Sequence, residues 1–311
     1  MRAFRDSLAN VSGGLRIFAT DISRLAPALH FSDRFFIVPA CTDVAYIPTL
    51  IQICNEEKID LIIPTIDTEL PILSRFRPNF TDVGCLIAIS SAEAIEISGN
   101  KTLTNEFFRA NGIPTVKQFL PSEFPADLSP SQFIAKPKSG SASKGVFFPT
   151  SQREISALAT DYIIEERAFG QEITVNVFVN SRGQCINQLP HRRIEVRAGE
   201  VSKGITFRHE RIMQLAKLAA ETLPGAFGAL CFQCFYDPTD ESIRFFEINA
   251  RFGGGYPLAF KAGADYPRWL YEETRGGPVT ETHNDWQSSL FMTRYDEAIY
   301  VVMKDIGDTD R

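Results

Sequence analysis

The chain lacks any apolar run of about 18 residues, so nothing in it reads as a membrane span. It lacks an excess of positive charge. Its 32 Lys and Arg against 38 Asp and Glu leave a net charge of -6, and give no electrostatic case for a nucleic-acid partner. Histidine is scarce, and His30, His191, His209 and His283 form no metal-ligand spacing. The N-terminal residues Met1 to Ser7 carry arginines with no apolar segment after them, so no signal peptide is expected. There is no G-x-G-x-x-G for a dinucleotide, no H-R-D or D-F-G for a protein kinase, and no case for a Ser-His-Asp triad. Repeats and low-complexity tracts are absent too. The 6 cysteines (Cys41, Cys54, Cys85, Cys185, Cys231, Cys234) are scattered in apolar surroundings, which predicts a reduced, cytoplasmic protein. Cys231 and Cys234 have CxxC spacing, but on a strand they face opposite sides, and no second CxxC exists. What remains is an ordinary globular balance, 44% hydrophobic and 23% charged over 311 residues, enough for two or three packed units.

Short apolar runs at 15–19, 35–38, 60–64 and 86–89 read as strands, with helical periodicity over 47–57. Strands this apolar, alternating with helices, predict a parallel sheet covered on both faces. The chain opens on a helical pattern, 4–10, where a doubly wound unit opens on a strand and a glycine turn. This unit is therefore expected to be one strand short, either through a start that lies upstream or through genuine trimming. Ser98, Gly99 and Asn100 mark a break before a helix over 101–110. After a linker rich in proline and acid, 121–130, come a strand at 133–137, a Gly/Ser loop, and a second strand at 146–148. A short helix over 155–160 follows, then strands at 162–165 and 172–179, the latter turning into a partner from Gln184. A helix spans 211–222, and strands 229–236 and 242–249 form a hairpin. The end is helical over 266–273 and extended in part over 289–302.

The hairpin carries the strongest chemical signal. Side chains alternate faces along a strand, so Glu247, Asn249 and Arg251 point one way while Ile248 and Ala250 point into the core. A carboxylate and an amide oxygen are hard ligands for magnesium, and a guanidinium is a fork for phosphate oxygens. Gln233, on the partner strand, would complete an oxygen-rich metal site; the alternative is a cross-strand polar pair. Upstream, Lys136 ends a strand before the small-residue loop Ser139-Gly140-Ser141-Ala142-Ser143-Lys144-Gly145. Such a loop lets backbone N–H groups approach phosphate; the alternative is a plain hairpin turn. Gly140 and Gly145 have the spacing of a P-loop, but Val146 stands where its lysine belongs and no helix follows. Glu165-Glu166-Arg167-Ala168 and then Glu172 offer backbone groups to a purine edge and a carboxylate to ribose hydroxyls.

In this order, a Gly-Asn-Lys helix start, a lysine before a Gly/Ser loop, an acidic hinge with Gly-x-Glu, and Gln…Glu-x-Asn-x-Arg, the pieces resemble the ATP-grasp superfamily. The likeness is greatest to single-domain relatives of the carbamoyl phosphate synthase large chain. It implies an α/β and α+β chain: an incomplete Rossmann-like domain over 1–97, then an ATP-grasp fold over 98–311 whose two α+β subdomains, a lid at 131–167 and a body at 168–311, clamp ATP. It implies ATP and magnesium (or manganese) as cofactors. Lys101, Lys136 and Lys144 would contact phosphates under the Ser139–Gly145 loop, Glu165 to Ala168 would meet adenine, and Glu172 the ribose. Gln233, Glu247 and Asn249 would hold metal, with Arg251, Lys144 and Asn249 acting at the transferring phosphoryl group. The implied reaction joins a small-molecule carboxylate to an amine or ammonia through an acyl phosphate. A carbamoyl phosphate synthase-type component and a non-catalytic ATP-binding subunit stay open, as does a homodimer.

The acceptor end is the least legible. On the segment Pro190 to Arg197, Arg192 and Arg197 are candidates for a substrate carboxylate, against the alternative of a solvated charged strand. If the segment is a strand, Arg193, Glu195 and Arg197 share one face. Lys203 and Arg208 are further candidates, and Gly254, within Gly253 to Gly255, would let the backbone approach phosphate or acceptor.

Overall fold

The computed structural model describes residues 1–140 and 145–302. Helix α1 (Arg2–Leu8) precedes β1 (Phe18–Asp21), β2 (Arg34–Ile37), α2 (Tyr46–Glu57), β3 (Leu61–Ile62), α3 (Leu70–Arg75), α4 (Arg77–Asp82), β4 (Leu86–Ile87) and α5 (Ala92–Gly99). The strands pair in parallel, as their apolar runs predict, but in two separate pairs, β1 with β2 and β3 with β4. A doubly wound order leaves this arrangement when its central first strand is taken out.

Ser91 caps the start of α5, and helix α6 (Lys101–Ala110) starts directly after that helix because Asn100 both ends α5 and caps α6. Ser91 Oγ accepts from the Ala94 N–H at 3.1 Å, and Asn100 Oδ1 from the Thr102 N–H at 3.0 Å. Strands β5 (Gln118–Phe119) and β6 (Phe133–Pro137), helix α7 (Gln152–Ser156) and strand β7 (Tyr162–Glu166) follow, and their antiparallel sheet has the order β5-β7-β6. The expected strand over 146–148 is reduced to one bridge, Phe147 with Ala135. The body is a six-stranded antiparallel sheet. It is built from β8 (Gln171–Val179), β9 (Cys185–Arg197), β10 (Glu200–Thr206), then, after helix α8 (Glu210–Thr222), β11 (Gly228–Asp237) and β12 (Ser242–Asn249). Helices α9 (Tyr256–Ala262) and α10 (Tyr266–Thr274) follow, and β13 (Phe291–Thr293) completes the order β12-β11-β8-β9-β10-β13. The sequence reading missed α9, which carries Pro257 in its first turn; proline fits there, where its missing N–H has no partner to lose.

Alternation along β8 sorts its side chains. Ile173, Val175, Val177 and Val179 are fully buried against α8 and the N-terminal unit in the largest core, while Thr174 and Asn176 face the other side. That core takes in Leu50, Leu73 and Phe80 from the first hundred or so residues together with Phe232, Phe245 and Ile248 of the hairpin, so the two units share one apolar interior. Among the described residues no helix is long and apolar enough to cross a membrane, and all six cysteines are free thiols.

Candidate active site

Residues of the three-stranded and six-stranded sheets line one cleft of ≈ 540 Å³, within the range of small-molecule sites. At one end lies the hairpin β11–β12. Its register pairs Gln233 with Glu247 and Cys231 with Asn249, so the three predicted oxygen donors are brought together along the cleft wall. Strict alternation does not describe the strand, however. A bulge opposite Gln233 and Cys234 sends Phe245 into the core and lets both Phe246 and Glu247 line the cleft. Bulges re-aim side chains in this way next to binding sites. Phe246 stacks on Phe235 with ring centres 5.0 Å apart, giving the cleft an aromatic wall that the sequence reading missed. Its signal was an aromatic on each strand close to the donors, Phe235 two residues after Gln233 and Phe246 next to Glu247.

Among the described residues no group of three His, Cys, Asp or Glu side chains converges on a metal-sized space. The hairpin offers one carboxylate and two amide oxygens, a hard-oxygen set that fits magnesium brought in on nucleotide phosphates better than a metal held by protein alone.

The cations face the donors, and each is already engaged. Lys136 Nζ lies 2.5 Å from Glu165 Oε2, with both side chains nearly dry. Gln118 Nε2 donates to the other Glu165 oxygen at 2.9 Å. The Glu165 side chain is thus tied to the lysine. Lys101 Nζ donates to the Gly140 carbonyl at 2.9 Å, and the Lys101 N–H to the Lys138 carbonyl at 2.8 Å, which fixes the start of the loop on the start of α6. Burial, with help from the nearby Lys136 charge, lowers the Lys101 pKa below its ordinary value. Arg251 donates from Nε and Nη2 to the two Asp67 oxygens at 2.7 and 2.6 Å, and from Nη1 to the Phe252 carbonyl at 2.9 Å.

Ser139 and Gly140 line the cleft; Gly145 does not, and at φ +74 it closes the loop against Pro137 and Tyr162. Ser141, Ser143 and Lys144 lie outside the described residues. Glu166, Arg167 and Ala168 line the cleft, and the Arg167 guanidinium covers the Phe148 ring at 4.8 Å.

At the acceptor end the alternation along β9 decides between arginines. Arg193 lines the cleft, with Nε 3.1 Å from Glu172 Oε1. Burial raises the Glu172 pKa, against the pull of Arg193. Arg192 lies outside the cleft, with its guanidinium over Phe207 at 5.1 Å, because neighbours on a strand face opposite sides. Arg197 also lies outside it, in solvent at the strand's end and paired with Asp296 at 3.0 Å. Lys203 pairs with Glu195, and Arg208 donates to the Asn284 carbonyl, both away from the cleft. Gly253, Gly254 and Gly255 line this end in close contact with neighbouring side chains, of which the one at Gly254 is the movable end of Glu200. A Cβ would meet Cys231 Sγ at 2.5 Å, Glu200 Oε2 at 1.2 Å and His191 Nε2 at 2.5 Å respectively. Glu200 and Thr174 also line the cleft and were not anticipated; Thr174 Oγ1 is buried without a partner.

Comparison with known proteins follows the same division. The PylC-like N-terminal domain family matches residues 1–88, and the ATP-grasp domain family matches 98–255. The bifunctional purine biosynthetic protein ADE1 of Schizosaccharomyces pombe is 25% identical over 179 residues, 50% of this chain and 21% of its own. The 3-methyl-D-ornithine–L-lysine ligase of Methanosarcina barkeri is 22% identical over 180 residues, 57% of this chain and 45% of its own. The chain thus spans less than half the length of these curated relatives. A biotin carboxylase from Campylobacter jejuni, solved with a β-γ-ATP ligand, shares the fold at a TM-score of 0.74 and 16% identity, over 93% of this chain and 71% of that one. With the catalytic-domain family matched over 98–255 of 311 residues, this protein belongs to the ATP-grasp family.

Proposed function

We propose that the protein is an ATP- and magnesium-dependent ligase that joins a small-molecule carboxylate to an amine. The observation that carries this reading is the hairpin register, which sets Gln233, Glu247 and Asn249 on one wall of the cleft that Lys101 and Lys136 also line. The carboxylate oxygen attacks the γ-phosphorus and ADP leaves. The amine then attacks the acyl carbon of the resulting acyl phosphate, and phosphate leaves with the formation of the C–N bond. Positioning and charge neutralisation dominate the first step, so a site without a general base suffices. Gln233, Glu247 and Asn249 would hold magnesium brought in on the nucleotide, which would supply charge neutralisation at the phosphates. Lys136 and Lys101 take the phosphate oxygens, Phe235 and Phe246 offer an apolar wall, and the glycine run lets the acceptor approach the backbone closely. Residues 131–167 act as the lid, and Glu166 to Ala168 as its hinge against adenine.

Amino acids are the first substrates to try, supported by the relative named as a lysine ligase. The test is ADP release from purified protein against pooled carboxylates and amines, with bicarbonate plus ammonia as one arm. Turnover in an amino-acid pool supports the reading; turnover in the bicarbonate arm alone replaces it with a carbamoyl phosphate synthase-type activity. Tight ATP binding with no ADP release in any pool replaces it with a nucleotide-binding subunit. Glu247→Gln is expected to weaken magnesium dependence by about 100-fold while leaving the fold intact; unchanged release would remove Glu247 from the metal set.

A further inference from the structure

Arg251 sits at the junction of the two units, and its partner comes from the N-terminal one. Asp67 opens the turn after β3, 184 positions away in sequence, and takes the guanidinium by two hydrogen bonds of 2.7 and 2.6 Å. The Arg251 side chain keeps only 15% of its exposure. A guanidinium has five N–H groups. Asp67 takes one from Nε and one from Nη2, and the Phe252 carbonyl takes one from Nη1. One N–H each on Nη1 and Nη2 remains for a ligand in the cleft that Arg251 lines.

The turn that carries Asp67 is itself pinned. Glu69 Oε1 accepts from the N–H groups of Thr65 and Ile66 at 2.7 and 3.2 Å, and Glu69 Oε2 accepts from the Tyr46 hydroxyl at 2.9 Å. A bidentate pair on a rigid turn fixes the plane of the guanidinium as well as its place. The Asp67 charge also reaches Lys101, whose ammonium it favours against burial. Asp67 therefore pairs with one of the cations that face the oxygen donors and favours the charge of a second.

We propose that Asp67 is a positioning residue, which turns Arg251 so that its two remaining N–H groups meet the terminal phosphoryl group of ATP and the acyl phosphate formed from it. The inference rests on the ligase reading, and nucleotide affinity tests it separately. Calorimetry compares ADP with a non-hydrolysable ATP analogue, each with magnesium, on Asp67→Ala. The analogue is expected to bind about tenfold more weakly while ADP affinity holds, since only the analogue carries the terminal phosphoryl group. With an active substrate pair, kcat is expected to fall about 100-fold and KM for ATP to rise in step with the weaker analogue binding. Asp67→Glu is expected to recover part of the loss. In an Arg251→Ala background, Asp67→Ala is expected to cost nothing further. Equal losses for ADP and analogue would mark Asp67 as structural only, and a gain in analogue affinity would mark it as a plug; either overturns the proposal. If no pool supports ADP release, the ligase reading fails while the analogue comparison still decides the role of Asp67.

Discussion

Taking Lys136 and Glu165 out of water costs several kcal/mol for each charge, and their 2.5 Å contact has to offset that. Breaking such a pair on one side leaves the other charge buried and alone. Glu165→Gln is therefore expected to lower unfolding free energy by about 3–5 kcal/mol, read from urea midpoints. The double variant with Lys136→Met is expected to recover most of the stability and none of the nucleotide affinity. A single variant as stable as the wild type would show that the pair is solvated. Lys101 makes a different prediction. Its folded pKa lies below the ordinary 10.5, chiefly through burial, so its charge is lost as pH rises through that lowered value. Affinity for ATP should fall along the same limb, and Lys101→Arg should move the limb to higher pH. Calorimetric titrations across alkaline pH read this directly; a limb that stays put takes Lys101 out of phosphate contact.

At the scale of elements, the connection between β7 and β8 depends on Gly170. Its φ is +106, and a Cβ there would lie 2.4 Å from the Tyr236 carbonyl oxygen in the backbone of β11. Gly170→Ala is expected to destabilise the protein by about 1–3 kcal/mol, seen as a lowered denaturant midpoint. An unchanged midpoint would mean that the loop relaxes at no cost. The hairpin was legible because local chemistry determines it, through the alternation of Glu247, Ile248 and Asn249, whereas Gly170 entered only as part of a Gly-x-Glu pattern. Where pairing departs from alternation, the reading loses its footing. The bulge opposite Gln233 hid Phe246, and only the burial of one face of β9 separates Arg193 in the cleft from Arg192 beside it. The two small parallel sheets answer only in part to the apolar runs, which predicted one sheet covered on both faces: β2 leaves Phe35 and Ile37 41% and 39% exposed. Asp67 was beyond reach altogether, since nothing in Pro64 to Glu69 points to an arginine so distant in the chain.

Across the whole molecule, the shared core and a set of long-range polar contacts join the units. Ser91 Oγ donates to the Pro224 carbonyl at 2.6 Å, Ser90 Oγ accepts from the Phe227 N–H at 3.1 Å, and Arg268 donates to the Ser7 carbonyl at 2.8 Å. Beneath the glycine run, His191 is fully buried, and burial holds its pKa down to about 3 from 6.5. The unfolded chain takes up a proton below pH 6.5 that the native state refuses. Stability contributed by this residue is therefore present above 6.5 and lost as pH falls through the window to about 3, on the order of 5 kcal/mol in all. His191→Gln should flatten that acid limb, which urea midpoints at neutral and acid pH would reveal; an equally steep limb would assign the acid sensitivity elsewhere. The pairing of Asp67 with Arg251 has a consequence for biosynthesis. The carboxylate emerges from the ribosome 184 residues ahead of its guanidinium, an interval of roughly 10–40 s at ordinary elongation rates. Throughout that interval the nascent protein has neither its fork nor its oxygen wall, because Gln233, Glu247 and Asn249 are also among the later residues to be made. Chain order thus leaves this pairing, and the wall beside it, to be completed late in synthesis, with α9, α10 and β13 still to follow.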